Sequence, residues 1–294
     1  MGLRERLIDP NSPDRRPRRA AYALPTLFTA GNLFLGFLSI LRSFEGSMMA
    51  VQGNVSGAAQ HFAIAAQAIG AAVFLDGLDG RIARMTNTTS EFGREMDSLA
   101  DVISFGIAPA VLAYAWGVQF VDSTLSPSIR EQLTRFGTFA SFLFLLCGAS
   151  RLARFNVQKN PVPKNPGRAD RKYFVGLPIP AGAAMVGAVV FASGGETLAW
   201  WPLSAAWLVL LTVIGLLMVS TWRYNSFKGV SLSKPYTPLI IIVVGAFIYL
   251  TANWPKPVLL VMATSYVASG IFTRIGGIFR RKLRRQTPPP GASA

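Results

Sequence analysis

Few residues in this sequence can form disulfides or imidazole metal sites. The 294 residues include one cysteine, Cys147, and one histidine, His61. A lone cysteine excludes a disulfide within the chain, and a lone histidine excludes metal clusters built from several imidazoles. Because both residues lie in apolar stretches, we expect both side chains to serve in packing.

Charged residues are also scarce. Only 15% of the residues are charged, 51% are hydrophobic and the mean hydropathy is +0.38, a combination that excludes a soluble globular protein. Apolar stretches long enough to span a bilayer as helices occur at 24–42, 58–76, 98–121, 136–153, 177–193, 201–222, 236–252 and 257–273. The sequence therefore predicts an all-α integral membrane protein with about eight transmembrane helices in one bundle.

The 14 acidic residues are outnumbered by 29 basic ones, which gives a net charge of +15. With eight crossings, the tails and the segments on the tails' side contain all the basic residues except Arg42, Arg130, Arg135 and Lys256. By the positive-inside rule both termini face the cytoplasm, in the inner (cytoplasmic) membrane. Because the basic residues are spread over several segments, we expect anionic membrane lipids as partners and no nucleic acid.

Six of the 14 acidic residues lie between positions 76 and 101. Asp76 and Asp79 are three residues apart, and Asp97 and Asp101 are four apart, so each pair lies on one face of a helix. If neighbouring helices carry the two pairs, four carboxylates line one pocket at the inner membrane edge and repel one another unless a cation is bound. Oxygen ligands without His or Cys select hard cations, so we expect Mg²⁺ or Mn²⁺, as two ions.

Residues suited to a diphosphate accompany these carboxylates. Gly77 and Gly80 leave a helix face without side chains, where a bulky ligand can approach the backbone. Arg84 lies one turn beyond Gly80 and offers several donors to a phosphate. Metals, a bare glycine face and an arginine together indicate a diphosphate site facing the cytoplasm.

The complete pattern is Asp76-x2-Asp79-Gly80-x2-Ala83-Arg84-x8-Gly93-x3-Asp97-x3-Asp101. It resembles the defining motif of the CDP-alcohol phosphotransferase family, without substitution at its eight fixed positions. Further stretches resemble the phosphatidylserine synthase branch of that family: 28–33, 92–106, 148–156 and 176–180. The likeness extends over roughly residues 25–185.

The resemblance implies transfer of a phosphatidyl group from CDP-diacylglycerol to the hydroxyl of L-serine, with release of CMP. By motif position, Asp76, Asp79 and Asp97 would be metal ligands, and Asp101 would be the base and also a ligand. Residues bordering the CDP moiety would be Gly77, Gly80, Arg84 and Gly93. Family likeness also implies a homodimer.

Each of three polar residues in apolar helices has two roles that the sequence does not distinguish. Arg151 and Arg154, three apart at the inner end of the fourth helix, either receive the serine carboxylate or the lipid phosphate, or serve as positive-inside anchors. Asn32 in the first helix either contacts the cytidine diphosphate or bonds across helices.

Other functions remain as alternatives. The same family with another acceptor, such as glycerol phosphate, inositol phosphate or an amino alcohol, cannot be distinguished by residue spacing. A transporter would also use intramembrane carboxylates, but it should have them near the bilayer middle or within an inverted repeat. Serine synthases of the phospholipase D type need two histidine motifs, which one histidine excludes.

The sequence divides into three parts. Residues 1–23 form a basic arm, and residues 24–273 form a transmembrane catalytic domain that contains the motif at 76–101. Residues 274–294 form a basic, proline-rich tail, which we expect to lack fixed structure from Arg280 onward.

Overall fold

The fold is described by a computed structural model for residues 19–86, 91–121, 126–159, 173–225 and 237–286. Its helices are α1 (Arg19–Val51), α2 (Val55–Thr86), α3 (Glu91–Asp101), α4 (Ala108–Gly117), α5 (Pro127–Lys159), α6 (Ile179–Ala192), α7 (Trp201–Val219), α8 (Thr237–Asn253) and α9 (Pro255–Gln286). A π-helical turn, Val102–Ile107, joins α3 to α4 without a break. Two three-residue strands, β1 (Tyr173–Val175) and β2 (Arg223–Asn225), are the exceptions in an otherwise helical architecture, so the predicted fold class is confirmed.

The helices are those of a multi-pass membrane protein. Among the described residues, six segments are long and apolar enough to cross a bilayer: Leu27–Val51, Val55–Asp79, Phe92–Gly117, Pro127–Val157, Trp201–Val219 and Pro255–Phe272. The apolar helix α6 is shorter, with 14 residues, and α8 has 17. Each predicted apolar stretch falls on one helical unit, while the number of eight crossings stays a prediction.

Three helix ends differ from the predicted ones. α1 begins at Arg19, within the predicted basic arm, and α5 continues to Lys159. The prediction that the tail lacks fixed structure from Arg280 onward is wrong for residues 280–286, because α9 continues through Gln286. Arginine, lysine, leucine and glutamine are good helix formers, and no proline interrupts them until Pro288. The rest of the arm and tail, 1–18 and 287–294, lies outside the described residues.

α1 turns a polar, small-residue face to the protein and an apolar face outward. Its buried positions recur every three or four residues, at Thr29, Asn32, Gly36, Ser39, Ser43 and Gly46. Exposed Leu and Phe side chains occupy the opposite face, at Leu27, Phe34, Phe37, Leu41 and Phe44. In lipid, small residues allow close helix contact and apolar side chains face the acyl chains, so this pattern packs α1 against α2.

The closest approach of α1 to its neighbours is at the π-helical turn. A Cβ atom added to Gly36 would lie 2.7 Å from the Cα atom of Ser104. The Ser104 hydroxyl donates a 2.9 Å hydrogen bond to the Asn32 carbonyl oxygen. The π-helical turn is thereby fixed against α1 directly after Asp101.

Large side chains fill the core among α4, α5, α6 and α7. The rings of Trp116 and Trp207 meet edge to face with centroids 5.2 Å apart, and the Trp207 indole donates to the Ala113 carbonyl. Cys147 is buried in this core, as predicted. His61 is not only a packing residue, because its Nδ1 atom lies 3.0 Å from the Glu45 carboxylate.

The small sheet joins the ends of several helices. β1 and β2 pair antiparallel, with Phe174 opposite Tyr224. The chain leaves β1 through Gly176, whose φ of 79° is a left-handed conformation that favours glycine. The Gly176 amide donates to the Trp222 carbonyl oxygen at 2.8 Å, which closes the turn before α6.

The packing at Gly36 predicts that a methyl group added there destabilises the protein more than one added at Gly70. Gly36→Ala should lower the midpoint of thermal unfolding in detergent, because the methyl group forces α1 away from Ser104, at a cost of about 1–3 kcal/mol. Gly70→Ala in α2 is the matched control, since its Cβ would meet no atom within 4 Å. Equal midpoints for the two variants would contradict this packing.

Candidate active site

The carboxylates of three motif aspartates meet between two helices. Asp76 lies near the end of the apolar part of α2, Val55–Asp79, and Asp97 and Asp101 lie one turn apart on α3. One carboxylate oxygen from each residue lies within 4.8 Å of the others. The i, i+4 spacing puts Asp97 and Asp101 on one face of α3, and that face is turned to α2. The predicted convergence of the two helices is confirmed for these three residues.

Asp79 lies beside this cluster but has a different environment. It is buried, and one of its carboxylate oxygens accepts a 2.9 Å hydrogen bond from the Thr29 hydroxyl of α1. Its other oxygen, Oδ1, is buried and has no hydrogen-bond partner among the described residues. Asp79 is close enough to Asp76 and Asp101 for their charges to repel. The four aspartates therefore share one region of the protein.

The donor set of this region suits a divalent cation. Asp76, Asp97 and Asp101 are each partly buried, and Oδ1 of Asp101 is buried without a hydrogen-bond partner in the part of the chain that the structure describes. Buried carboxylate oxygens are costly unless a hydrogen bond or a cation compensates them. An all-oxygen cluster with open lone pairs can hold a hard metal ion.

Asn32, on the same helix as Thr29, also has uncompensated polar atoms. It lies one turn beyond Thr29 on α1, and only 1% of its surface is exposed. Neither Oδ1 nor Nδ2 has a hydrogen-bond partner within the described ranges. A buried primary amide without partners is unfavourable by about 1–3 kcal/mol, so both ends of this amide are open to further hydrogen bonds.

The predicted diphosphate contacts are only partly covered by the structure. Gly77 is exposed, and a Cβ atom there would meet nothing within 4 Å, so the expected bare face exists at this position. Gly93 lies on α3, one turn before Asp97. Gly80 and Arg84 lie in α2, but Gly80's surroundings and the Arg84 side chain are outside the described residues.

Arg151 of α5 lies within electrostatic range of Asp101 in the aspartate cluster. It is 8% exposed, and its Nε atom is buried without a hydrogen-bond partner in the described structure. Its guanidinium lies 5.8 Å from the centroid of the Phe155 ring and attracts Asp101 electrostatically. The structure therefore brings Arg151 to the site.

Arg154 has a different set of contacts. Its guanidinium donates hydrogen bonds to the carbonyl oxygens of Val219, at 3.1 Å, and Val175, at 3.3 Å. These bonds tie α5 to the end of α7 and to β1. The two arginines, predicted to share one face, thus meet different neighbours.

Several residues of the site region were missed by the sequence analysis. Thr29 bonds Asp79, Ser104 bonds the α1 backbone, and the Asn156 amide donates a 2.8 Å hydrogen bond to the Ser98 hydroxyl, which joins α5 to α3. A signal for Thr29 was present, because Thr29 and Asn32 are polar residues at i, i+3 in an apolar helix. The Ser98–Asn156 contact has no local signal, since 58 residues separate its partners.

Comparison with known proteins agrees with this site. Residues 22–203 match the family model of CDP-alcohol phosphatidyltransferases. A CDP-diacylglycerol–serine O-phosphatidyltransferase of Helicobacter pylori is 35% identical over 255 residues, which cover 87% of this chain and 92% of that protein. An archaetidylserine synthase of Methanothermobacter thermautotrophicus is 35% identical over 72% of this chain and 73% of its own length. The chain therefore belongs to the CDP-alcohol phosphatidyltransferase family.

Proposed function

We propose that this protein transfers the phosphatidyl group of CDP-diacylglycerol to the hydroxyl of L-serine, forming phosphatidylserine and CMP. The observation that carries the proposal is the meeting of Asp76, Asp97 and Asp101 between α2 and α3. Serine as acceptor is supported by relatives from Helicobacter pylori and Methanothermobacter thermautotrophicus, both named as enzymes of serine lipid synthesis.

Asp76, Asp79, Asp97 and Asp101 are the proposed ligands of two divalent ions, Mg²⁺ or Mn²⁺. Support comes from the donor chemistry, since four carboxylates without imidazole or thiolate select hard cations. The unpartnered Oδ1 atoms of Asp79 and Asp101 are further ligand positions. When bound, such ions neutralise the charge of the diphosphate and of the departing CMP.

Asp101 is the proposed general base. The serine oxygen forms a bond to the lipid-side phosphorus, the bond from that phosphorus to the CMP oxygen breaks, and the serine hydroxyl proton passes to the Asp101 carboxylate. A carboxylate is a weak base for an alcohol, so its contribution depends on positioning the hydroxyl. Asp101 belongs to the carboxylate cluster and is also attracted by Arg151, so one carboxylate can address both metal and acceptor.

The CDP moiety is proposed to lie along α1 and α2. The open face at Gly77 admits the diphosphate, Gly80 and Gly93 are proposed to border it, and Arg84 is proposed to bind phosphate oxygens. Asn32 is proposed to bond the nucleotide, because its buried amide lacks partners among the described residues.

Arg151 is proposed to receive the carboxylate of serine. Its position next to Asp101 would bring the serine hydroxyl near the base when the carboxylate is bound. We assign Arg154 to support of the surrounding fold, because its guanidinium already bonds two backbone carbonyls. Of the two arginines, only Arg151 is therefore proposed to bind a substrate group.

The site suits the inner edge of a cytoplasmic membrane. CDP and serine are polar and arrive from the cytoplasm, while the acyl chains stay in lipid. The distribution of basic residues supports cytoplasmic termini and contact with anionic lipids. A homodimer is proposed from family likeness.

The proposed reaction predicts serine-dependent release of CMP by the purified protein. With CDP-diacylglycerol, Mn²⁺ or Mg²⁺ and labelled L-serine, we expect label in phosphatidylserine and an equal amount of CMP. Thorough chelation should abolish both products, because the diphosphate charge is then uncompensated.

An acceptor panel with glycerol phosphate, inositol phosphate and ethanolamine measures CMP release for each alcohol. A preference for another acceptor would overturn the serine assignment, and ion flux without CMP release would overturn the enzyme.

Single neutral substitutions should separate metal binding from base catalysis. Asp97→Asn is expected to abolish turnover and weaken Mn²⁺ binding, because a ligand charge is lost. Asp101→Asn is expected mainly to lower kcat, by about 100- to 10,000-fold, as for loss of a general base. The matched control is Glu131→Gln, an exposed carboxylate on α5 paired with Arg135, which should leave turnover unchanged. Near-normal turnover in either aspartate variant refutes its assigned role.

The Thr29–Asp79 hydrogen bond predicts a change in metal affinity. Thr29→Val keeps the shape of the side chain but removes the hydroxyl that orients Asp79, so the Mn²⁺ concentration at half-maximal activity should rise about tenfold. Thr29→Ser restores a hydroxyl and should return that concentration towards the wild-type value. An unchanged Mn²⁺ dependence in Thr29→Val would show that Asp79 needs no such support.

A further inference from the structure

A side-chain hydrogen bond joins the helix that carries Asp97 and Asp101 to helix α5. The Asn156 side-chain amide donates to the Ser98 hydroxyl oxygen at 2.8 Å. The Ser98 hydroxyl in turn donates to the Arg94 carbonyl oxygen, four residues earlier on α3, at 3.0 Å. Because the hydroxyl has a single proton and gives it to Arg94, Asn156 must supply the proton of the other bond. Asn156 and Ser98 are each partly buried, so water competes less for this bond than at an exposed site.

Ser98 lies on α3 where a contact can set the orientation of both aspartates. It follows Asp97 directly and precedes Asp101 by three residues. At about 100° per residue, Ser98 lies about 100° from Asp97 and about 60° from Asp101 around the helix axis. This position is beside the face of α3 whose carboxylates meet Asp76. A bond at Ser98 therefore opposes rotation of α3 about its own axis.

A small rotation of α3 would be enough to disturb a metal site. Carboxylate oxygens lie about 5–6 Å from the axis of a helix, since the diameter of a helix with its side chains is about 10–12 Å. A rotation of about 10° displaces them by about 1 Å, whereas metal–ligand distances tolerate only about 0.2 Å. Asp97 and Asp101 would move together, because they lie on one helix.

Asn156 is itself held in place, because the end of α5 is tied to other elements. Arg154, two residues earlier, donates hydrogen bonds to the carbonyl oxygens of Val219 and Val175. α5 also packs against α7 and against the π-helical turn. The amide of Asn156 thus reaches α3 from an anchored part of the bundle.

These contacts connect the anchored end of α5 to the proposed metal ligands. We propose that Asn156 is a positioning residue, whose bond to Ser98 holds α3 in the rotation that keeps Asp97 and Asp101 beside Asp76 for a divalent ion. The inference rests on the proposed function, in which these aspartates are metal ligands. Asn156 acts through α3 and not on the reacting atoms, so its loss weakens metal binding and leaves the KM for serine near wild type.

The test is direct measurement of Mn²⁺ binding to the purified protein in detergent without substrates, from the electron paramagnetic resonance signal of free Mn²⁺. Asn156→Ala should raise the Kd for Mn²⁺ about fivefold, close to the effect of one lost hydrogen bond, with an unfolding midpoint near that of wild type. In turnover assays the Mn²⁺ concentration at half-maximal activity should rise by the same factor, while the KM for serine stays near wild type.

Two matched controls remove similar bonds elsewhere. Asn253→Ala removes an exposed side-chain amide on α8 that donates to the Tyr249 carbonyl oxygen. Thr134→Ala removes a hydroxyl that donates to the carbonyl oxygen four residues earlier on α5, as the Ser98 hydroxyl does on α3. Neither variant should change the Kd for Mn²⁺.

A double-mutant cycle separates the Asn156–Ser98 bond from other effects of the substitutions. Ser98→Ala should raise the Kd for Mn²⁺ as much as Asn156→Ala, and the double variant no further, whereas independent effects would multiply to about 25-fold. Ser98→Thr keeps the hydroxyl and should bind Mn²⁺ nearly as tightly as wild type. Multiplied effects in the double variant would overturn the proposal. A raised KM for serine with an unchanged Kd for Mn²⁺ in Asn156→Ala would also overturn it, because Asn156 would then bind the acceptor.

Results for the wild type keep this inference apart from the proposed function. If wild-type protein forms phosphatidylserine and Asn156→Ala binds Mn²⁺ as tightly, the positioning role fails and the proposed function stands. If wild-type protein uses another acceptor alcohol, the serine assignment fails, and a fivefold higher Kd for Mn²⁺ in Asn156→Ala still supports the positioning role. If wild-type protein neither binds Mn²⁺ nor releases CMP, both fail.

Discussion

Mutual repulsion between carboxylates is the constraint on which this structure depends. Asp76, Asp97 and Asp101 meet where apolar helices end, with Asp79 close enough to repel Asp76 and Asp101, and a carboxylate in apolar surroundings is costly. Separated helices would relieve that repulsion. The packing of α1, α2 and α3 must therefore resist it, and a cation held between the carboxylates would replace the repulsion by attraction.

α1 provides much of this resistance with few large side chains. Its buried face consists of small and polar residues, so the backbones of α1 and the π-helical turn approach closely at Gly36. The same face bonds Asp79 through the Thr29 hydroxyl and Ser104 through the Asn32 carbonyl oxygen. In a bilayer, where burial of apolar surface gives little advantage over lipid, close contact and hydrogen bonds across helices hold the bundle. The scaffold and the site thus use the same residues of α1.

Hydropathy and residue spacing predicted those features of the protein that depend only on residues close together in the sequence. Helical class and the pairing of Asp97 with Asp101 follow from hydropathy and from 3.6 residues per turn, and both are confirmed. The contacts of Arg154 could not be predicted, because its carbonyl partners lie in β1 and at the end of α7, fixed by tertiary packing. The basic composition of the tail suggested disorder, but its arginine, lysine, leucine and glutamine residues favour a helix. α9 therefore continues through Gln286.

The two sides of the site have different origins in the chain, and this division has a physical reason. Groups proposed to act on the diphosphate come from α2 and α3, within a window of 26 residues, since in-line displacement requires metals and base in one fixed arrangement. The proposed acceptor side uses Arg151 of α5, which lies outside this window. An acceptor needs only to be held with its hydroxyl near Asp101. Helices outside the catalytic window can therefore determine which alcohol is bound without disturbing the phosphate chemistry.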